Sequence, residues 1–235
     1  MSDLNARLLN EIVDGVRDLL KKEQADRIRD VYLIGDIEKE CARSVIEKLR
    51  ELANDRKPIT LYINSAGGNV TDGLALHDVI RHIVRSGVDV TIVVQGMAYS
   101  MGSVVLQAAS EGKRLAFPHS WIMIHEPAKW AGWQSTTAAA QHLDRLKQMQ
   151  SQIYRIMADR SGKPLRQIIR DTKRVDFYLD AWKAKEYGLI DRVVGDEVAP
   201  ARDEAIVAEE AESAPREPAA AEPAGGMTIH GRSES

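Results

Sequence analysis

The chain has 235 residues, 44% of them hydrophobic but only 5% aromatic, and a formal net charge of −3. That length suits one domain with an appendage, and its core must be built mainly from aliphatic side chains. The single cysteine, Cys41, excludes an intrachain disulfide and suits a reducing compartment.

The segment 1–29 opens with Leu4, Leu8, Leu9, Ile12, Val13, Val16, Leu19 and Leu20 near helical spacing. The spacing predicts one amphipathic helix over 3–22. Met1 to Arg7 lacks the basic region and apolar run of a secretory leader. No stretch of the chain approaches the ~18 apolar residues of a membrane span. The expectation is a soluble, cytoplasmic chain with no membrane contact.

Strands and helices then alternate. Val31–Ile34, Thr60–Asn64, Val90–Val94, Arg114–Phe117 and Trp121–Ile124 read as strands. Helical periodicity covers Glu38–Ala53, Asp72–Arg85, Ser100–Ser110 and Thr136–Arg160. Continuous apolar runs such as Val90–Val94 suit a parallel sheet covered on both faces. Repeated βα alternation predicts an α/β domain over 30–195 with right-handed crossovers.

After Gly195 the composition shifts. Residues 196–235 hold ten acids, three bases and four of the eight prolines, a net of −7 that leaves +4 for the body. This acidic Ala/Pro-rich tail buries too little apolar surface to offset its ordering entropy, and disorder is expected there. The mild basic excess of the body is unclustered and lacks an aromatic-plus-cation platform, so nucleic acid is not an expected partner.

Ligand sites in open α/β sheets form at the carboxyl ends of strands. Two such ends carry chemistry. Asn64-Ser65-Ala66-Gly67-Gly68-Asn69-Val70 has paired glycines that can leave backbone N–H groups bare, although an ordinary Gly-rich turn has the same look. Gly96-Met97-Ala98-Tyr99-Ser100-Met101-Gly102 follows an apolar strand and opens a helix. Its small residues at −2 and +2 resemble the logic of a nucleophile elbow, with Ala98 in place of the first glycine. Ser100 reads equally well as a plain helix cap.

A serine nucleophile needs a base. His125 ends the strand Trp121–Ile124, at the same sheet edge. His77 and His82 sit five apart on a helix and share no face; His119, His142 and His230 are the other histidines. An acid to orient the imidazole is open among Asp171, Asp176, Asp180 and Asp191. No His-Glu-x-x-His and no cysteine pair marks a metal site.

Together the segments Leu61-Tyr-Ile-Asn-Ser-Ala-Gly-Gly68, Ala98-Tyr-Ser-Met-Gly-Ser103, Gly112-Lys-Arg-Leu-Ala-Phe-Pro118, Ile122-Met-Ile-His-Glu-Pro127 and Glu186-Tyr-Gly-Leu-Ile-Asp191 resemble the proteolytic subunit of the Clp protease, in family order. The resemblance implies the crotonase-like fold of repeated β-β-α and βα units with a long protruding helix. It implies a serine endopeptidase acting on peptides or unfolded polypeptides inside an oligomeric chamber. Ser100 would be the nucleophile and His125 the base. Among the four carboxylates left open, Asp176 is preferred for the acid. The N–H groups of Gly68 and Met101 would form the oxyanion hole. A ring of identical chains, or a mixed ring with a paralogue, is implied, with an AAA+ unfoldase as partner. The chain itself would need no cofactor, and ATP would enter only through that unfoldase.

The sequence also departs from the family pattern. The axial-loop segment is replaced by the amphipathic helix. The usual Gly-Gly after the catalytic histidine reads Ala128-Lys-Trp-Ala-Gly-Trp-Gln134, and Val175 stands where an arginine beside the acid is usual. The chain reads as a divergent member. Two other functions remain: a non-catalytic Clp-like subunit of a mixed ring, and crotonase-like acyl-CoA chemistry.

Overall fold

The computed structural model describes residues 13–15, 17, 29–126 and 136–195; the side chains of 136–139 and 142 are not among them. Of the expected helix over 3–22, Val13–Gly15 and Arg17 are helical. The rest of that helix, the segment 128–134 and the acidic tail lie outside the described residues. Those residues all belong to one compact unit, Met1–Glu197.

Seven strands form one sheet: β1 (Asp30–Ile34), β2 (Ile59–Ser65), β3 (Val90–Tyr99), β4 (Arg114–Ala116), β5 (Trp121–Ile124), β6 (Phe177–Asp180) and β7 (Arg192–Val193). Among the described residues from 29 onward, six helices accompany them: α1 (Lys39–Ala53), α2 (Val70–Arg85), α3 (Met101–Leu106), α4 (Thr136–Ser161), α5 (Leu165–Thr172) and α6 (Ala181–Tyr187). The main path runs β1-β2-β3-β4-β7, all parallel, with β5 parallel to β3 and β6 antiparallel to β5. The fold is thus the expected α/β type with one antiparallel strand at the end.

The apolar run of β3 is buried on both faces through Val94, as its sequence predicts. β1 differs: Val31 and Leu33 are buried, whereas Tyr32 and Ile34 are 53% and 62% exposed. The core is aliphatic. Leu33, Leu49, Leu61, Ile63, Leu76, Ile80 and Ile92 are among its fully buried side chains. α1 packs on β1 and α2, α2 on α3, and α3 on β2, β3 and α4.

β3 extends five residues beyond the expected strand because it changes partner midway. Ile92–Val94 pair with β4, and Met97–Tyr99 pair with β5 on register Met97↔Trp121. Gly96 takes φ +90 at the change, and the buried Ser120 hydroxyl bridges it, donating to Val94 O at 2.9 Å and accepting from Gly96 N at 3.1 Å. This handover carries the strand on to Ser100 and sets β5 beside it.

Candidate active site

The elbow is built from backbone strain and close approach. Ser100 takes φ 51 and ψ −119, a conformation rare for a residue with a Cβ. It does not cap α3: its side chain makes no cap hydrogen bond, which corrects the helix-cap reading. Its N–H donates to Met123 O at 2.9 Å, tying the turn to β5. Its carbonyl accepts from Ser103 N and, at 2.6 Å, from Ser103 Oγ. The need for small flanking residues is visible: Ala98 is fully buried, and a Cβ on Gly102 would lie 3.3 Å from Ser65 O.

The structure brings His125 to this turn. His125 follows β5 directly, and its Nε2 lies 2.8 Å from Ser100 Oγ. On the other ring edge, Nδ1 lies 3.0 Å from Asp176 Oδ1. With the serine hydroxyl donating to Nε2, Nδ1 carries the proton and donates to the carboxylate. The other three carboxylates are engaged elsewhere. Asp171 accepts from Tyr187, Asp180 caps α6 through Lys183 N at 2.7 Å, and Asp191 pairs with Arg114. His77 is buried on α2 against Asp78, and burial pushes its pKa down. His82 and His119 share none of this geometry.

The glycine turn lies across from the elbow. Gly67 and Gly68 take φ +101 and +146. A Cβ on Gly67 would sit 2.7 Å from the Ser100 Cβ, and one on Gly68 would strike the Ile37 carbonyl, so only glycine fits either place. Ser65 Oγ braces the turn by accepting from Gly67 N at 3.1 Å, and Asn69 caps α2 by accepting from Thr71 N and Asp72 N. The N–H groups of Gly68 and Met101 donate to no acceptor among the described residues. Met101 opens α3, where the first N–H groups have no helical partner.

A cavity of about 140 Å³ opens beside Ser100 and His125. Val70, Met101, Val104, Ile153, Met157 and Ile168 give it an apolar wall, with α4 and α5 supplying the last three. The wall from α5 was not legible in advance, because α5 itself was not expected. Ser103 and Ser120 act as supports that the sequence does not single out, although Ser103 directly follows the elbow segment Gly96–Gly102. Among the described residues, no group of three or more His, Cys, Asp or Glu is arranged to hold a metal ion. None of the helices searched among them is long and apolar enough to cross a membrane.

Comparison with known proteins places the chain in a family. A family model described as Clp protease matches residues 16–197. The ATP-dependent Clp protease proteolytic subunit 1 of Gloeobacter violaceus is 41% identical over 179 residues, which cover 75% of this chain and 87% of that protein. A family match over a span that takes in the elbow, the glycine turn and the histidine strand, with a relative matched across most of both chains, makes this chain a member of the Clp protease family.

Proposed function

We propose that this chain is a serine endopeptidase using Ser100, His125 and Asp176. The observation that carries the reading is the hydrogen-bonded run from Ser100 Oγ through His125 to Asp176, at 2.8 and 3.0 Å. Ser100 Oγ attacks the peptide carbonyl carbon, and its proton passes to His125 Nε2. Asp176 holds the tautomer and stabilises the imidazolium. The oxyanion meets the free N–H groups of Gly68 and Met101; one such donor is worth about 3 kcal/mol in serine proteases. His125 then protonates the leaving amine, and water hydrolyses the acyl-enzyme by the same route reversed.

The apolar cavity beside Ser100 supports apolar side chains on the acyl side of the cleaved bond. A cavity of about this size holds a benzene-sized group, which matches side chains such as leucine, methionine and phenylalanine. By family, the working state is a ring of chains enclosing the sites, fed with unfolded polypeptide by an AAA+ unfoldase. ATP is used by that partner and no cofactor is needed here.

Fluorophosphonate labelling and hydrolysis of a small fluorogenic peptide test the reading. Wild type labels at Ser100 and cleaves; Ser100→Ala does neither, while its circular dichroism spectrum is retained. Labelling that survives Ser100→Ala would rule out this nucleophile. Absence of labelling in an assembled wild type would favour a non-catalytic or acyl-CoA role.

A further inference from the structure

The motif Glu186-Tyr187-Gly188 has no part in the chemistry above, yet it lies against both flanks of the acid. The Asp176 side chain is 53% exposed, so burial does not fix it. Its turn contains Arg174 at φ +62, an unfavourable conformation for arginine, and Val175, which is 55% exposed. What holds this turn must lie at its two ends.

Tyr187 reaches both. Its hydroxyl donates to Asp171 Oδ2 at 2.8 Å, near the end of α5 and just before the turn. Its ring packs on Phe177, the first residue after Asp176, with centroids 5.3 Å apart and planes tilted by 60°. Tyr187 is itself well fixed. It is 9% exposed and ends α6, and the Lys163 ammonium lies 5.3 Å from its ring centroid. Gly188 follows in the left-handed conformation, where a Cβ would strike the Ser161 carbonyl at the end of α4. Burial, then Asp171, push the phenol pKa up, so it stays a hydrogen-bond donor across the working pH range.

We propose that Tyr187 is a positioning residue for Asp176, closing the turn that carries the acid by holding Asp171 on one side and Phe177 on the other. The proposal rests on the peptidase reading. It gives the Tyr-Gly pair a joint reason: the glycine lets α6 end against α4, and the tyrosine passes that fixed point to the acid. The competing explanation is that Tyr187 is core packing alone.

Steady-state kinetics on the full-length protein with a small fluorogenic peptide separate the two. Tyr187→Phe keeps the ring on Phe177 and removes only the hydroxyl. It is expected to lower kcat about tenfold with KM within about twofold, since a misplaced orienting group weakens the transition state rather than binding. In an Asp176→Ala background, the same change should lower kcat by less than about twofold, because the acid it positions is gone. Asp171→Asn keeps an acceptor for the phenol and should retain at least about half of kcat. Equal losses from Tyr187→Phe in both backgrounds, or an unchanged kcat on the wild-type background, overturn the proposal while leaving the peptidase reading intact. A wild type that neither labels with fluorophosphonate nor cleaves removes the peptidase reading, and this proposal with it.

Discussion

At Ser100 the backbone is held in a conformation that costs on the order of 1–3 kcal/mol. The cost is offset locally. Met123 O accepts its N–H, two donors of Ser103 hold its carbonyl, and Gly67 leaves room for its Cβ. The strained turn keeps the hydroxyl off the helix it begins and aimed at His125. Gly67→Ala tests this economy of space. The new Cβ would meet Ser100 Cβ, Tyr99 O and Met101 N at 2.7 to 3.0 Å, from a residue at φ +101. Overpacking of this kind costs about 1–3 kcal/mol, and the yielding group is Ser100, the proposed nucleophile. Urea unfolding should show that loss, and peptide hydrolysis should fall more than the lost stability explains. At this scale Ser100 and His125 were legible, because a short motif at a strand end carries each. Asp176 needed family resemblance: four carboxylates competed, and only tertiary placement shows that the other three are occupied.

Among the elements, the handover of β3 from β4 to β5 matters most to function. It lets a single strand reach the elbow while placing the histidine strand directly beside it. The Ser120 hydroxyl is the staple, since it is itself buried and serves both the buried Val94 O and the N–H of the more exposed Gly96. Ser120→Ala takes the partner from Gly96 N, whereas Val94 O keeps the N–H of Phe117, and the expected cost is about 1 kcal/mol. A lower melting temperature with unchanged KM is the expected result, checked by thermal unfolding beside kinetics. The sequence signalled β1 to β5 and α1, α2 and α4 within a residue or two, apart from the length of β3. It signalled the region after Arg160 poorly. α5 has eight residues, β6 four and β7 two. Elements this short exist because of their partners: β7 is a strand only through Leu115↔Arg192 and Ala116↔Val193. The helix expected over Ser100–Ser110 stops at Leu106 for a similar reason. Gln107 turns its amide toward Leu189 O, and Ser110 is recruited by both backbone groups of Val90.

Across the whole unit, one buried cation gathers the late elements onto the early ones. Arg114, 5% exposed, donates to Asp191, Gln107 Oε1 and the carbonyls of Arg160 and Gly188. Burial of the Asp191 carboxyl raises its pKa, but hydrogen bonds and charge from Arg114 outweigh this and hold it below the ordinary carboxylate range. A depressed native pKa stabilises the fold above the unfolded value of about 3.9 and loses that contribution as pH falls through the native value. Urea midpoints should therefore fall on acidification below about pH 4. Asp191→Asn should be less stable than wild type at neutral pH and lose less on acidification. The edge position of β6 has a kinetic consequence. Ser100 and His125 follow neighbouring strands of the sheet interior, whereas Asp176 precedes a four-residue strand paired on one side only, to β5. Short, singly paired edges open by local fluctuation at far lower free energy than the core. Native-state amide exchange at Phe177–Asp180 should outpace that at Met97–Tyr99 by at least about tenfold. In each such opening Ser100 and His125 still face one another while Asp176 has swung away, so on the peptidase reading proposed above turnover would scale with the fraction of time that Asp176 is docked.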